Sequence, residues 1–132
     1  MSLIILFMLW AYQNHWVLEV AHCSNREVKG TIYTDVIGEI IQDGESFSKR
    51  NKYQETFGFQ LMRGKLFYFF KKDNQIGISF DNQEVLLGYS EIPHYRCCEP
   101  SMLNPDVYKN MVSFFARRSD KWYYVEIGVF KK

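Results

Sequence analysis

Charge of one sign, paired cysteines, a long apolar run and the usual catalytic signatures are each scarce or missing in this 132-residue chain. The 16 Lys and Arg are balanced by 15 Asp and Glu, for a net charge of +1, so no global field draws in nucleic acid or an anionic membrane surface. Three cysteines are an odd number, and Cys97 and Cys98 are adjacent, which strains any bridge between them; a disulfide scaffold is disfavoured and a reduced, cytoplasmic setting is expected. The apolar opening MSLIILFMLWA is cut by Gln13, Asn14 and His15, well short of the roughly 18 residues of a membrane helix, so no membrane partner is expected. It also lacks the basic flank and small-residue cleavage site of a signal peptide, and the leader Met1-Ser2-Leu3 is of a kind that an expression vector supplies. No Gly-rich phosphate loop, no Gly-x-Ser-x-Gly and no His-Glu-x-x-His occurs; Gly38, Gly44, Gly64 and Gly88 stand singly at places expected to be turns. Nucleotide binding and the common hydrolase mechanisms therefore have no local support.

Aromatic residues are present in quantity: eleven Phe, nine Tyr and three Trp make 17% of the chain, within a hydrophobic fraction of 47% and a charged fraction of 23%. That is a folded globular composition weighted towards strands. A chain of this length buries roughly two thirds of its unfolded surface around one core, so residues 1–132 are read as a single domain. Alternation is clearest where Ile76, Ile78 and Phe80 interleave with Gln75, Gly77 and Ser79, between the turn signals Lys72-Asp73-Asn74 and Asp81-Asn82; this predicts a half-buried strand. Before it, KLFYFFK is apolar on both faces, as in a strand covered on both sides, and a three-residue turn makes the pair a hairpin. At the other end Tyr123, Val125, Ile127 and Val129 share one face and Trp122, Tyr124, Glu126, Gly128 and Phe130 the other, the β-branched side being the expected core face.

MVSFFARR supplies the partner strand through Arg118-Ser119-Asp120, and LIILFMLWAY with HWVLEVAH makes a third hairpin around Gln13-Asn14. The following segments correspond too: Asp43-Gly44 leads to Tyr53-Gln54-Glu55-Thr56, and Asp81-Asn82 leads to Tyr89-Ser90-Glu91-Ile92. A spacing near forty residues belongs to repeat architectures that place a small sheet in each unit. The one expected helix is a short turn over NPDVYKN, with Asn104 as cap and Pro105 in the first position, ending by Lys109.

With that unit in view, MVSFFARRSDKWYYVEIG resembles the repeat of TolB-like β-propellers, in which a strand ending in Ala-Arg-Arg turns into Lys-Trp and alternating apolar residues. The matching residues are Phe114, Phe115, Ala116, Arg117, Arg118, Lys121, Trp122, Tyr124 and Val125, and in the middle copy Phe69, Phe70, Lys71, Ile76, Ile78, Asp81, Tyr89 and Ile92. The usual Ser-Pro-Asp-Gly before the first strand is replaced by CCEPSMLNPDVYKN. Two and a half such units are fewer than the four to eight blades of a closed propeller. The resemblance implies an interaction platform and carries over no catalytic residue.

Each cysteine has a histidine close by: His22-Cys23 in AHC, and His94 with Cys97 and Cys98 in HYRCC. His22, Cys23, His94 and Cys97 are the right ligand types for zinc, should the fold gather them. A thiol-dependent site on His94, Cys97 and Cys98 is the enzymatic alternative, with Arg96 available to stabilise a thiolate. Their spacing matches no metal or catalytic signature, and the preferred assignment is no cofactor, with Cys97 and Cys98 straddling a strand end. The basic clusters Lys49-Arg50-Asn51-Lys52 and Arg117-Arg118 have aromatic neighbours of the sort that stack bases, but the neutral chain favours solvated turns.

The reading is an all-β antiparallel meander of about eight strands built from propeller-like hairpins, with a small sandwich or barrel as the alternative. Its expected role is a non-catalytic scaffold for protein–protein contact, acting as a homo-oligomer or with a protein partner, through Tyr95, Arg96, Arg117 and Trp122.

Overall fold

Six two-residue connections share one conformation: Lys29-Gly30, Asp43-Gly44, Arg63-Gly64, Asp73-Asn74, Asp81-Asn82 and Ser119-Asp120, with every φ between 49° and 81°. Positive φ at both central residues is the mark of the I′ turn, whose twist matches that of the strands it joins. Asp, Asn and Gly tolerate that region, which is why the chain places them between its apolar runs. Two of these connections were expected to hold three residues. Lys72 and Arg118 instead belong to their strands and pair with Gln75 and Lys121.

The computed structural model describes residues 2–12, 15–96, 99–100, 105–108 and 110–128. One sheet holds β1 (Ser2–Tyr12), β2 (His15–Val28), β3 (Thr31–Gln42) and β4 (Glu45–Ser46) in that order. A second holds β5 (Glu55–Met62), β6 (Lys65–Lys72), β7 (Gln75–Phe80) and β8 (Gln83–Tyr89). The ribbon β9 (Tyr95–Arg96) and β10 (Glu99–Pro100) precedes a third sheet of β11 (Asp106–Tyr108), β12 (Met111–Arg118) and β13 (Lys121–Gly128). Every pairing is antiparallel and between consecutive strands, so the all-β meander stands, with more strands than expected and, among the described residues, no closed barrel. Among the described residues no helix is long and apolar enough to cross a membrane.

The middle sheet is covered on both faces. Along β6, Phe67 and Phe69 enter a core with Phe57, Met62, Ile76, Ile78, Ile92, Val112 and Phe114. Tyr68 and Phe70 enter the opposite core with Val17, Ile40, Phe47, Tyr53 and Phe59. Strand alternation therefore sends one aromatic run to two cores. Phe69 is the centre of the first, stacked on Phe57 at 5.1 Å and edge-on to Phe67 and Phe114 at 5.1 Å each. In β5 a bulge between Phe57 and Gln60, where Gly58 has φ +66°, reverses the parity, so Phe57 and Phe59 face different cores although two apart.

Several expectations are corrected by this packing. QIGISF is buried on both faces, Gly77 and Ser79 included, because the two cores cover the middle sheet from either side. The segment expected to be helical forms β11 instead: Asp106, Val107 and Tyr108 pair with Ser113, Val112 and Met111, a ladder that outcompetes a single turn of helix. Asn104 and Lys109 lie outside the described residues, as do Gln13 and Asn14. The helix that does form is α1 (Phe47–Asn51), over the basic cluster expected in a loop. Ser46 caps it by accepting from the Lys49 backbone N–H at 3.2 Å, and Phe47 anchors it by stacking on Tyr68 at 5.0 Å.

Gly38 and Gly88 lie in strands, not turns. The case of Gly77 is the sharpest, since a Cβ there would come within 2.5 Å of the Phe70 ring and 2.8 Å of the Val85 carbonyl oxygen. Gly77→Ala should lower the unfolding free energy by about 1–3 kcal/mol through overpacking, measured by urea denaturation. An unchanged midpoint would contradict the placement of Phe70 across β7.

Candidate functional site

Along β2, Val17, Glu19, Ala21 and Cys23 form one inward row. The carboxylate in that row has no water to turn to and is met by donors from two other elements. Its Oε1 accepts the Phe59 backbone N–H at 3.2 Å, and its Oε2 accepts the Tyr95 hydroxyl at 2.9 Å. Glu55, at the start of β5, is equally enclosed. It accepts the Gly38 backbone N–H at 2.7 Å, while the neighbouring Thr56 hydroxyl accepts that of Ile40 at 2.8 Å. Both N–H groups lie on the side of β3 away from β2, so β5 side chains cap an edge that β4, pairing only at Ile41 and Gln42, leaves open.

His94 joins the same cluster. Its ring stacks on Phe57 at 3.5 Å, with 9° between the planes, and its Nδ1 donates to the Ile92 carbonyl. Nε2 lies 3.0 Å from Glu55 Oε2 but makes no hydrogen bond to it. Burial pushes the Glu19 carboxyl above its ordinary value, against the hydrogen bonds from Tyr95 and Phe59 and the attraction of His94. Burial also raises Tyr95 beyond the usual tyrosine range, and the nearby Glu19 adds to the shift. Both oxygens of Glu19 and Oε2 of Glu55 are thus committed to backbone and tyrosine donors. That arrangement locks two sheets together.

The residues expected to bind are divided by the fold. Tyr95 points inward to Glu19, and Gly38 is glycine because a Cβ would collide with the Tyr95 hydroxyl. Of Arg96 only the backbone is described, paired with Glu99. Arg117 and Trp122 come together as cross-strand partners on the outer face of β12 and β13. Arg117 is held by Glu91 at 2.8 Å, and the Glu91 carbonyl accepts the Arg117 N–H, tying the loop after β8 to β12. His22 contacts Glu39 at 3.3 Å on the opposite face of β2 from Cys23, because adjacent strand residues diverge. Cys97 and Cys98 lie outside the described residues. Among the described residues no group of three or more His, Cys, Asp or Glu is placed to hold a metal ion.

Two features escaped the sequence reading. Glu19 and Glu55 carry no local signature, because what makes them special is the distant donors they meet. Phe115 joins the face that Trp122 and Tyr124 share: the Phe115 and Tyr124 rings lie 5.3 Å apart, and Phe115, Trp122 and Tyr124 are 50%, 55% and 59% exposed. Strand alternation could have found this row, since Val112, Phe114 and Ala116 take the inner face of β12 and leave Phe115 outside. No protein-family model, curated protein or solved structure matches the chain.

The Glu19 shift fixes a pH dependence. A carboxyl whose folded value is raised contributes stability that is complete below its ordinary value, near 4.5, and is lost as the pH rises through the raised one. The unfolding free energy of the wild type minus that of Glu19→Gln should therefore fall as pH climbs above that value. A difference independent of pH would show that Glu19 is not buried against these partners.

Proposed function

We propose that this protein is a non-catalytic protein-interaction module whose contact surface is the outer face of β12 and β13. The observation that carries the reading is the exposed row of Phe115, Trp122 and Tyr124. Contact surfaces are enriched in aromatic side chains and Arg, and aromatic rings present large rigid areas that lose little entropy on burial. Arg117 and Glu126 flank the row and supply a charged rim. The rings are presented by a hairpin whose other face is anchored by Val112, Phe114 and Ala116 in the core, so the platform does not depend on a partner for its shape. The commitment of Glu19, Glu55 and Tyr95 to internal bonds favours this reading over catalysis at the HYRCC segment. The propeller-like repeat is retained as the proposed origin of the meanders, and the setting as the reducing cytoplasm, without a nucleic-acid or membrane ligand.

A displayed library of random peptides, selected on the purified protein, tests the reading. Selected peptides should bind the double variant Phe115→Ser, Trp122→Ser at least about tenfold more weakly, the scale of one lost anchor residue, while circular dichroism and the unfolding midpoint stay close to wild type. Selection that yields no peptide, or peptides indifferent to the double variant, would overturn it.

A further inference from the structure

Among the described residues, the edges of β3 and β8 are defended and that of β13 is not. The outer edge of β3 is capped by Glu55 and Thr56. That of β8 is broken by a bulge opposite Ile76 and Gly77, and its carbonyls at Gly88 and Leu87 accept from Arg118 at 2.9 and 3.1 Å. β13 has neither device. It pairs with β12 over eight residues without a register shift, contains no proline, and among the described residues no strand lies along its other side. An unbulged, aromatic edge of this length is a template for another strand.

The groups it offers follow from the turn. Arg118 and Lys121 flank the two-residue I′ turn and so form a hydrogen-bonded pair; Ala116 with Tyr123, Phe114 with Val125 and Val112 with Ile127 follow in alternation. The backbone N–H and C=O of Trp122, Tyr124 and Glu126 therefore point away from β12.

We propose that β13 pairs with β13 of a second copy of this chain, antiparallel and centred on Tyr124, a refinement that rests on the reading of this face as a contact surface. In that register Tyr124 faces Tyr124, and Trp122 of each copy faces Glu126 of the other. The outward backbone groups of all three residues are then satisfied. The rings of Phe115 and Tyr124 from both copies form one continuous row across the joined sheet. Glu126 of one copy falls one strand beyond Trp122 from Arg117 of the other, so opposite charges share each end of the row. Shifting the centre to Glu126 would set carboxylate against carboxylate. The two-fold operation is what matches the strand to itself: each end supplies what the opposite end lacks.

Analytical ultracentrifugation at about 100 μM, where a contact of micromolar strength is saturated, should give twice the 15.8 kDa of one chain. Tyr124→Pro deletes an N–H that does not serve the hairpin and should give monomers. Tyr124→Lys and Tyr124→Glu each set like charges opposite one another across the two-fold and should also give monomers; mixed in equal amounts they should restore a dimer. A monomeric wild type, or a mixture that stays monomeric, overturns the pairing. A monomer that still selects peptides through Phe115 and Trp122 would leave the contact surface standing and refute only its self-pairing. Loss of both would refute the two together.

Discussion

The first two sheets are joined by carboxylates where a shared ladder of strands would otherwise be needed. Glu19 from β2 reaches the bulged backbone of β5 at Phe59, and Glu55 from β5 reaches the edge of β3 at Gly38. Each bond satisfies a backbone donor that has no strand partner at that point, and leaving one such buried donor unmade costs about 1–3 kcal/mol. The bulge at Gly58, the absence of a side chain at Gly38 and the inward turn of Tyr95 all follow from this stitch. His94, stacked on Phe57 beside Glu55, closes its far side.

Around the stitch, the middle sheet divides the interior into two cores. β6 feeds aromatic rings to both, and the bulge in β5 lets Phe57 and Phe59 do the same from positions that strict alternation would put on one face. The third sheet completes the first core with Val112, Phe114 and Ala116, and the price of that anchoring is an opposite face with nothing described over it. Interior and surface aromatics are thus two outcomes of one rule, the period-2 alternation of a strand. The proposed contact surface lies on that outer face and on the edge beside it, away from the internal polar bonds.

Local patterns carried much of this architecture. Asp-Gly, Asp-Asn, Arg-Gly and Ser-Asp between apolar runs marked the turns, because few residues accept positive φ twice in succession. KLFYFFK announced a strand covered on both sides, and Val125 and Ile127 lie on the core face. Where local signals competed with pairing they misled. Asn-Pro-Asp favours a helix start, yet Asp106, Val107 and Tyr108 found a ladder on β12. Ser46 is an equally good cap and its helix formed, because Phe47 had Tyr68 to stack on.

Turn positions, strand faces and the all-β class reside in neighbouring residues, and so the linear order of amino acids determines them. The identity of the site does not. Tyr95 stood out as a surface aromatic beside arginine and cysteine, and became an internal donor because β2 brought Glu19 to it across 76 residues. Trp122 and Arg117 stood together in the sequence reading and remain together in space, since a two-residue turn makes near neighbours of them. Contacts spanning a single hairpin are written in the turn. Those that cross from sheet to sheet arise only once the cores have set the sheets against each other, and a buried carboxylate looks like any other until its donors arrive.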